Sequence, residues 1–401
     1  MKRKIDMTLE YKRFPKVEYE KRWERAGKLI ADNGLDALLI TEANNYTYFS
    51  GGHRDFSFSR PTVMVLPKKG EPVVMVHDFF DASQHRESWV EDIRPYTSIS
   101  GFPVELLKSV CGDLGINAGK IGAELGREQR LGMSYNDFVK ITEELPNVEF
   151  IDASDILWEL RMIKSAAEID CLRKACEISS RAFEKCFQNV RPGMTEKEAA
   201  KILYDATVEE GGASVWVVSN SGPYNYESGF LLHPGSYTLE KGNLLWFDTG
   251  CQHNGYSSDF SRMAAICHFS DEQKKMYEIV DGITQKCVEA IKPGIKASDL
   301  SQLCNIEFEK AGIKDIWGKG DCSSPQSNKA HRIGHGIGMA TTEPPHIALF
   351  DHTEIKAGMV ITIEPTVATN YGHFNIESDV LVTEDGYEVL SIASRELIKL
   401  R

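Results

Sequence analysis

Two stretches of this sequence decide its fold: residues 241–248, KGNLLWFD, and residues 357–364, AGMVITIE. Each is a short apolar run that begins beside a glycine and ends in a carboxylate, Asp248 in the first and Glu364 in the second. Such a run is typical of a buried strand. The two glycines are 116 residues apart, and so are the two carboxylates. This spacing indicates an internal duplication, and a period of this length is that of a duplicated half-domain rather than of a solenoid.

Helices predicted before the two runs repeat in the same way. The turn at 190–195, VRPGMT, precedes a helix predicted at 196–210, and the turn at 291–296, IKPGIK, precedes one predicted at 297–310. Both helices end before a glycine, which is a common stop signal. The second part of the chain therefore consists of two similar halves, and we expect a site between them that is related by a pseudo-twofold axis.

Each half also supplies a second carboxylate. Asp259 lies eleven residues after Asp248, and Glu377 lies thirteen residues after Glu364. Four carboxylates that converge in a buried place cannot all stay ionised without cations, and two divalent cations would balance them. His335 adds an imidazole, and oxygen ligands with one imidazole suit manganese, cobalt, iron or zinc.

Each of these residues also has a simpler interpretation. Asp248 starts a good turn sequence, Asp259 is a candidate ion-pair partner of Arg262, and His335, between glycines, is a candidate structural histidine. Because all five residues come from two similar halves, the whole set favours a dinuclear metal site over three unrelated explanations.

Composition excludes several other classes of protein. The chain has 401 residues, 42% of them hydrophobic and 26% charged, which is ordinary for a globular protein of two to three domains. A net charge of −13 disfavours a nucleic-acid partner. We expect no membrane span, no secretory signal, and thiols that remain reduced in the cytoplasm. Phosphate-binding loops and serine-hydrolase elbows are absent from the sequence.

The first part of the chain is predicted to be a separate α/β domain at 1–155. Helical and apolar patterns predict a helix at 17–33, a strand at 37–40, a hairpin formed by 60–67 and 72–76, strands at 121–124 and 148–151, and helices that begin at Ser154 and at Glu168. We place the domain boundary near residue 155 and the second domain at 156–401.

Several motifs in the second domain resemble the "pita-bread" metallopeptidase family, which includes methionine aminopeptidase, aminopeptidase P, prolidase and creatinase. The motifs are DTG at 248–250, GYSSDFSR at 255–262, GHGIG at 334–338, IEP at 363–365 and IESDVLVTEDG at 376–386. Residues 1–155 resemble the N-terminal domain of creatinase, prolidase and aminopeptidase P. The fold implied is an N-terminal creatinase-like α/β domain followed by a pseudo-twofold catalytic domain.

The resemblance implies a role for each of the five residues. Asp248 would chelate one metal ion, Asp259 and Glu377 would bridge two ions, and His335 and Glu364 would complete the second. A water or hydroxide between the ions would be the nucleophile, and Glu364 would accept and pass on its proton. Manganese is the favoured ion.

The same resemblance suggests substrate-facing residues. His233 matches a substrate-facing histidine, with a surface loop residue as the alternative, and His331 matches a further active-site histidine or a residue behind the site. Tyr224 is a candidate pocket wall or a packing residue. The loop at 51–56 is either solvated or, as in creatinase-like relatives, covers the site of the partner subunit in a homodimer.

Two positions depart from the peptidase pattern. The histidine expected seven residues after His335 is Thr342, which cannot carry a proton as imidazole does. His346 follows four residues later and could fold back into its place. The arginine that proline-specific relatives often place two residues before Glu377 is Asn375, which removes a charge-assisted contact to substrate.

Three functions are therefore weighed. The first is a metal-dependent peptidase that acts on dipeptides or short peptides, including Xaa-Pro substrates. The second is a small-molecule hydrolase or lyase on the same scaffold, which Thr342 and Asn375 favour. The third is a non-catalytic binding module, which the complete set of metal ligands disfavours.

Overall fold

The chain divides into two compact units, Met1–Arg161 and Met162–Arg401. The predicted boundary near residue 155 falls inside the helix Ser154–Met162, which ends the first unit. A computed structural model provides the coordinates, and it describes residues 11–53, 59–226, 233–313 and 332–401.

The first unit is a mixed α/β domain. Its strands are β1 (Ala37–Ile40), β2 (Val63–Pro67), β3 (Val73–His77), β4 (Asp92–Tyr96), β5 (Gly119–Ala123) and β6 (Val148–Asp152). Its helices are α1 (Lys16–Asp32), α2 (Ala43–Ser50), α3 (Asp78–Glu87), α4 (Val104–Asp113), α5 (Tyr135–Glu144) and α6 (Ser154–Met162).

One six-stranded sheet organises this unit, in the order β4-β3-β2-β1-β5-β6. The predicted hairpin is confirmed, because β2 and β3 pair antiparallel with Val65 opposite Val73. β1 pairs antiparallel with β2 and parallel with β5. Every residue of β1, β2 and β3 is buried, as expected for apolar runs covered on both faces.

A buried carboxylate holds the end of this sheet together. Glu124 follows β5 and is 2% exposed. Its oxygens accept hydrogen bonds from the backbone N–H of Thr41 (2.7 Å) and Glu42 (2.8 Å), the hydroxyl of Thr41 (2.6 Å) and the amide of Asn45 (2.8 Å). Burial nevertheless raises the pKa of Glu124 to about 7.

The second unit contains the duplicated halves. Its strands are β7 (Ala213–Ser221), β8 (Leu244–His253), β9 (Tyr256–Ser257), β10 (Phe260–Ile266), β11 (His335–Gly336), β12 (Glu343–His346), β13 (Val360–Ile363), β14 (Thr366–Thr369), β15 (Gly372–Asn375), β16 (Ser378–Val382), β17 (Tyr387–Val389) and β18 (Ile398–Leu400). Its helices are α7 (Ala166–Asn189), α8 (Glu196–Glu209), α9 (Pro223–Tyr226), α10 (Asp271–Glu289) and α11 (Ala297–Lys310).

The strands of this unit form two five-stranded sheets and one two-stranded sheet. The first has the path β18-β10-β8-β7 with β9 beside β8, the second has the order β12-β11-β13-β16-β17, and β14 pairs with β15. The strands β8 and β10 are antiparallel, and so are β13 and β16. Each half therefore contributes one antiparallel pair that carries the carboxylates.

Backbone hydrogen bonds confirm the internal duplication. The N–H of Gly242 bonds the carbonyl of Ile266, and the N–H of Gly358 bonds the carbonyl of Val382, each at a spacing of 24 residues. Both glycines have positive φ angles, of 87° and 86°. Glycine adopts this conformation at little cost, so the same turn begins both carboxylate-bearing strands.

Capping boxes set the start of the helices. α7 begins at Ala166, two residues earlier than predicted, because Ser165 caps it and the Glu168 carboxylate accepts a hydrogen bond from the Ser165 backbone N–H (2.9 Å). Thr195 and Glu198 cap α8 in the same way. In the described part of the chain, no helix has the length and apolar content needed to cross a bilayer.

The side chain of Arg262 fastens the C-terminal segment to the first sheet of the second unit. It is 1% exposed, and its guanidinium donates to the backbone carbonyls of Ser261, Glu377, Ser391 and Ala393 at 2.7–3.1 Å. Within the described residues its guanidinium forms no hydrogen bond or ion pair with Asp259, so the alternative interpretation of that aspartate as an Arg262 partner is not supported.

We predict that Arg262→Met lowers the free energy of unfolding of the second unit by about 3 kcal/mol, because four buried carbonyls lose their donors. The exposed pair Arg173–Glu388 supplies the control, and Arg173→Met should cost less than about 1 kcal/mol. Calorimetric unfolding of the variants measures both. Equal losses would contradict the role given to Arg262.

A second prediction concerns the pH dependence of the first unit. The pKa of Glu124 is raised in the folded state from 4.5 to about 7, so the native state holds a proton that the unfolded state releases. The stabilisation is complete below pH 4.5 and is lost as pH rises through 7, by roughly 3 kcal/mol. Unfolding of the first unit at pH 5 and pH 8 should show this loss in the wild type, and Glu124→Gln should make the loss smaller. The exposed control Glu149→Gln should keep the wild-type dependence.

Candidate metal centre

Five side chains of the second unit lie at the junction of its two five-stranded sheets. Asp259 directly precedes β10, His335 begins β11, Glu364 follows β13, and Glu377 directly precedes β16. Asp248 lies in the middle of β8, which continues for five residues beyond it. The sequence analysis placed Asp248 at a strand end, or alternatively in a turn, and both placements are wrong.

The distances show that these side chains converge. The Nε2 atom of His335 lies 3.5 Å from Oδ2 of Asp259 and 3.6 Å from Oε1 of Glu364. One ligand atom from each of Asp259, His335 and Glu377 lies within 4.8 Å of the others. Asp248 is close enough to Asp259 to share a hydrogen bond with it. All five residues predicted from the sequence are therefore neighbours in space.

All five side chains are less than a tenth exposed. Among the described residues, Oδ1 of Asp248 and Oε1 of Glu377 are buried without a hydrogen-bond partner. A buried oxygen without a partner is costly, and its presence in a folded protein calls for an explanation such as a bound ion. The two oxygens belong to different halves of the duplication, so both halves direct unsatisfied acceptors into the same place.

The pKa values reflect this crowding of buried charge. Burial, followed by the charge of Glu364, raises the pKa of Asp248 to about 8. Burial and neighbouring carboxylates raise the pKa values of Asp259 and Glu377 well above the ordinary range. Burial lowers the pKa of His335 to about 3, which keeps its imidazole neutral and able to coordinate a metal.

The donor set fits divalent transition-metal ions. It consists of four carboxylates and one neutral imidazole, a combination that suits manganese, iron, cobalt or zinc. Cations would supply the positive charge that the repelling carboxylates lack and would occupy the unsatisfied oxygens. The residues present are therefore able to hold metal.

The glycines around His335 are required by close backbone approach. A Cβ atom on Gly334 would lie 2.0 Å from the carbonyl oxygen of Thr362, and one on Gly336 would lie 2.2 Å from that of Pro344. The Thr362 hydroxyl also accepts a hydrogen bond from the His335 N–H (3.2 Å). The packed glycines thus fix the strand that presents the imidazole.

Asn375 connects the segments that carry the acids. Its side-chain oxygen accepts a hydrogen bond from Nε1 of Trp246 (3.1 Å), on the same strand as Asp248. Its amide donates to the backbone carbonyl of Glu364 (3.1 Å) and the hydroxyl of Thr366 (2.7 Å). Asn375 is fully buried, so it holds the framework and is not exposed to substrate.

Two further residues near the centre were not singled out from the sequence. Oδ2 of Asp379 accepts hydrogen bonds from the backbone N–H of Asp259 (3.0 Å) and from the thiol of Cys176 (3.1 Å). Nη2 of Arg332 lies 3.6 Å from Oε1 of Glu364. Asp379 stands inside the motif at 376–386 and Arg332 two residues before the motif at 334–338, but only the folded contacts reveal what they touch.

The remaining predicted residues are less closely tied to the centre. In the described part of the chain, His233 is exposed and forms no hydrogen bond or ion pair with the five side chains. Thr342 is partly buried, just before β12. His331 and the side chain of Tyr224 lie outside the described residues, as do residues 54–56 of the loop at 51–56.

Both units match known families. Residues 170–384 match the metallopeptidase family M24, and residues 22–163 match the creatinase/prolidase N-terminal domain. The M24 match alone covers more than half of the chain.

Several relatives match this chain over almost its whole length. The Xaa-Pro dipeptidase of Pyrococcus furiosus is 29% identical over 390 residues, which cover 94% of this chain and 100% of the relative. A solved Xaa-Pro dipeptidase from Bacillus anthracis superimposes with a TM-score of 0.83 at 25% identity, over 95% of this chain and 100% of that chain. Dipeptidase PepE from Mycobacterium ulcerans gives a TM-score of 0.82 at 27% identity, over 96% and 99% of the two chains.

The family accounts for the clustered acids and the imidazole, since metallopeptidases require divalent ions for catalysis. It also accounts for the order of the two units, with the creatinase-like domain first. The predicted fold and the predicted class of enzyme are both confirmed, and the alternative of a small-molecule hydrolase or lyase is not favoured. This chain belongs to metallopeptidase family M24, as a metal-dependent hydrolase that carries a creatinase/prolidase N-terminal domain.

Proposed function

We propose that this protein is an Xaa-Pro dipeptidase, a metallopeptidase that cleaves the bond before a C-terminal proline. The observation that carries the proposal is the convergence of four buried carboxylates and one neutral imidazole. The names of several relatives with full-length matches, among them the Pyrococcus furiosus enzyme, support the choice of substrate.

We assign the five side chains to two divalent ions, with manganese favoured. Asp248 would hold one ion, Asp259 and Glu377 would serve both, and His335 and Glu364 would hold the second. Divalent ions bound there would supply Lewis-acid chemistry, which lowers the pKa of a water molecule and polarises the scissile carbonyl. The count of two follows from the charge of four carboxylates, which two divalent ions balance.

The protein's own groups then orient the reaction. Glu364 is the residue placed to accept a proton from the attacking water and to pass it to the leaving nitrogen. Arg332 lies 3.6 Å from the Glu364 carboxylate and is 37% exposed, so it positions that carboxylate at the open edge of the centre. His233, His331, Thr342 and Tyr224 remain candidates for contact with the peptide.

The departures in sequence do not remove the peptidase function. Asn375, in the place of an expected arginine, is buried and bonded to Trp246, Glu364 and Thr366, so it serves the framework. Thr342, in the place of an expected histidine, leaves the carboxylates and His335 unchanged. The substitutions therefore alter the surroundings of the site and leave its metal ligands intact.

We also propose a homodimer that works in the cytoplasm. The loop at 51–56 is either solvated or, as in creatinase-like relatives, covers the site of the partner subunit. Sedimentation velocity of the purified protein measures the oligomeric state. Elemental analysis after expression in metal-supplemented medium identifies the ion.

We predict that Asp259→Asn loses both bound metal and turnover, because a bridging ligand serves both ions. Inductively coupled plasma analysis should give about two ions per chain in the wild type and fewer than one in the variant. Asp281→Asn, a change in a partly buried aspartate on α10 that pairs with Arg395, is the control and should keep the wild-type content. A fully loaded Asp259→Asn protein would rule out the bridging role.

The second prediction concerns substrate. Wild-type protein loaded with manganese should release proline from a panel of Xaa-Pro dipeptides, and Glu364→Gln should be slower by at least about 100-fold because its proton acceptor is lost. The matched control Glu354→Gln changes an acid ten residues earlier, outside the cluster, and should retain activity. Wild-type release no faster than that of Glu364→Gln would exclude the peptidase.

A further inference from the structure

The wall of the metal centre after His335 lacks the histidine expected at position 342. Thr342 offers one hydroxyl and no group that is cationic at neutral pH. The chain continues from Thr342 into β12, whose last residue is His346. The position of the His346 imidazole therefore depends on how this strand pairs.

His346 lies directly opposite His335. The two residues are Cα partners of the antiparallel pair β11–β12. The next pair along is joined by a hydrogen bond from the N–H of Ile347 to the carbonyl of Gly334 (2.9 Å), so His335 and His346 form a pair without direct backbone hydrogen bonds. Side chains of such a pair share one face of the sheet and approach most closely.

A buried ion pair fixes the route of the chain between Thr342 and His346. Oε2 of Glu343 lies 3.6 Å from Nζ of Lys164, and both side chains are almost fully buried. Oε1 of the same glutamate accepts a hydrogen bond from the N–H of Ala340 (3.0 Å). The pairing of β11 with β12 is irregular at this point, because Gly336 pairs with Glu343 and His335 pairs with His346. The irregularity brings His346, three residues further on, beside the metal-site histidine.

The surroundings of His346 suit a polar function. The residue is 6% exposed and its ring lies 6.0 Å from that of Phe350, which is 58% exposed. Its backbone N–H donates to Oδ2 of Asp351 (2.8 Å), which places a carboxylate beside the strand. His346 therefore has the metal-site histidine as its partner across the strands and an exposed aromatic side chain beside its ring.

We propose that His346 supplies the imidazole that position 342 lacks, and donates a hydrogen bond to an oxygen of the peptide substrate. This inference rests on the proposed dipeptidase function and adds a substrate-binding residue to it. The oxygen is that of the scissile carbonyl or of the C-terminal carboxylate, and both are acceptors of the same kind. A variant that carries both Thr342→His and His346→Phe tests whether an imidazole at position 342 can replace the one at position 346.

The test uses manganese-loaded full-length protein and the Xaa-Pro dipeptide that the wild type cleaves best. His346→Phe should lower kcat/KM by about 100-fold, as expected for a lost hydrogen-bond donor at the reacting groups. Adding Thr342→His to this variant should restore at least about a tenth of the wild-type value, since it returns an imidazole to the site. Metal content and melting temperature should stay at the wild-type values in both variants.

The control is His352→Phe, which removes an exposed imidazole six residues further along that contacts Ser298, and it should leave kcat/KM unchanged. His346→Asn, a smaller polar change, covers the case in which phenylalanine disturbs folding, and it should also lose activity. A loss seen on the dipeptide and not on its C-terminal amide assigns the carboxylate, and equal losses assign the carbonyl.

Wild-type turnover by His346→Phe and His346→Asn would overturn the inference, as would a loss that Thr342→His fails to repair. These results differ from failure of the proposed function, in which the wild type itself releases no proline.

Discussion

The repulsion among buried carboxylates is the constraint on which the second unit depends. Four carboxylates lie together, shielded from solvent: Asp248, Asp259, Glu364 and Glu377. Burial and the charges of the neighbouring carboxylates both raise the pKa values of Asp248, Asp259 and Glu377. For Glu364 burial dominates and Arg332 opposes the shift. An arrangement this unfavourable persists only if the surrounding packing enforces it and a cation compensates it.

The enforcement comes from hydrogen bonds between segments that are distant in sequence. The hydroxyl of Ser261 accepts the N–H of Glu377 (3.0 Å), and the amide of Asn375 holds the backbone of Glu364 (3.1 Å). Asp379 in turn accepts the N–H of Asp259 (3.0 Å). The bonds of Glu377 and Asp259 join the two halves of the duplication, so a change in one half displaces a ligand that the other half carries.

Much of this architecture could be predicted from the sequence, for a physical reason. An apolar run that ends in an acid is a conspicuous pattern, and this chain contains it twice, 116 residues apart. Local patterns likewise predicted β1 and the hairpin of β2 and β3. The strand position of Asp248 was missed, because Asp-Thr-Gly has turn chemistry and only the partner strands decide that β8 continues.

Other features depend on contacts that no local pattern contains. The roles of Asp379, Arg332 and Asn375 arise where chain segments cross, and their residue types are compatible with many surroundings. The sequence left open whether His346 folds back, and only the pairing of β11 with β12 shows that it lies opposite His335. His331 and residues 54–56 of the loop at 51–56 lie outside the described residues, and their roles stay predictions.

The duplication has a consequence for how the molecule assembles. Asp248 and Glu377 are 129 residues apart in the chain, so the centre forms only when both halves have docked. Contacts between such distant segments form late, because closing a long loop is entropically costly. Docking must also bring like charges together at its final step. Free divalent cations in the folding medium would then act as counterions for that step, and the concentration of metal would govern the speed of maturation as well as the occupancy of the finished enzyme.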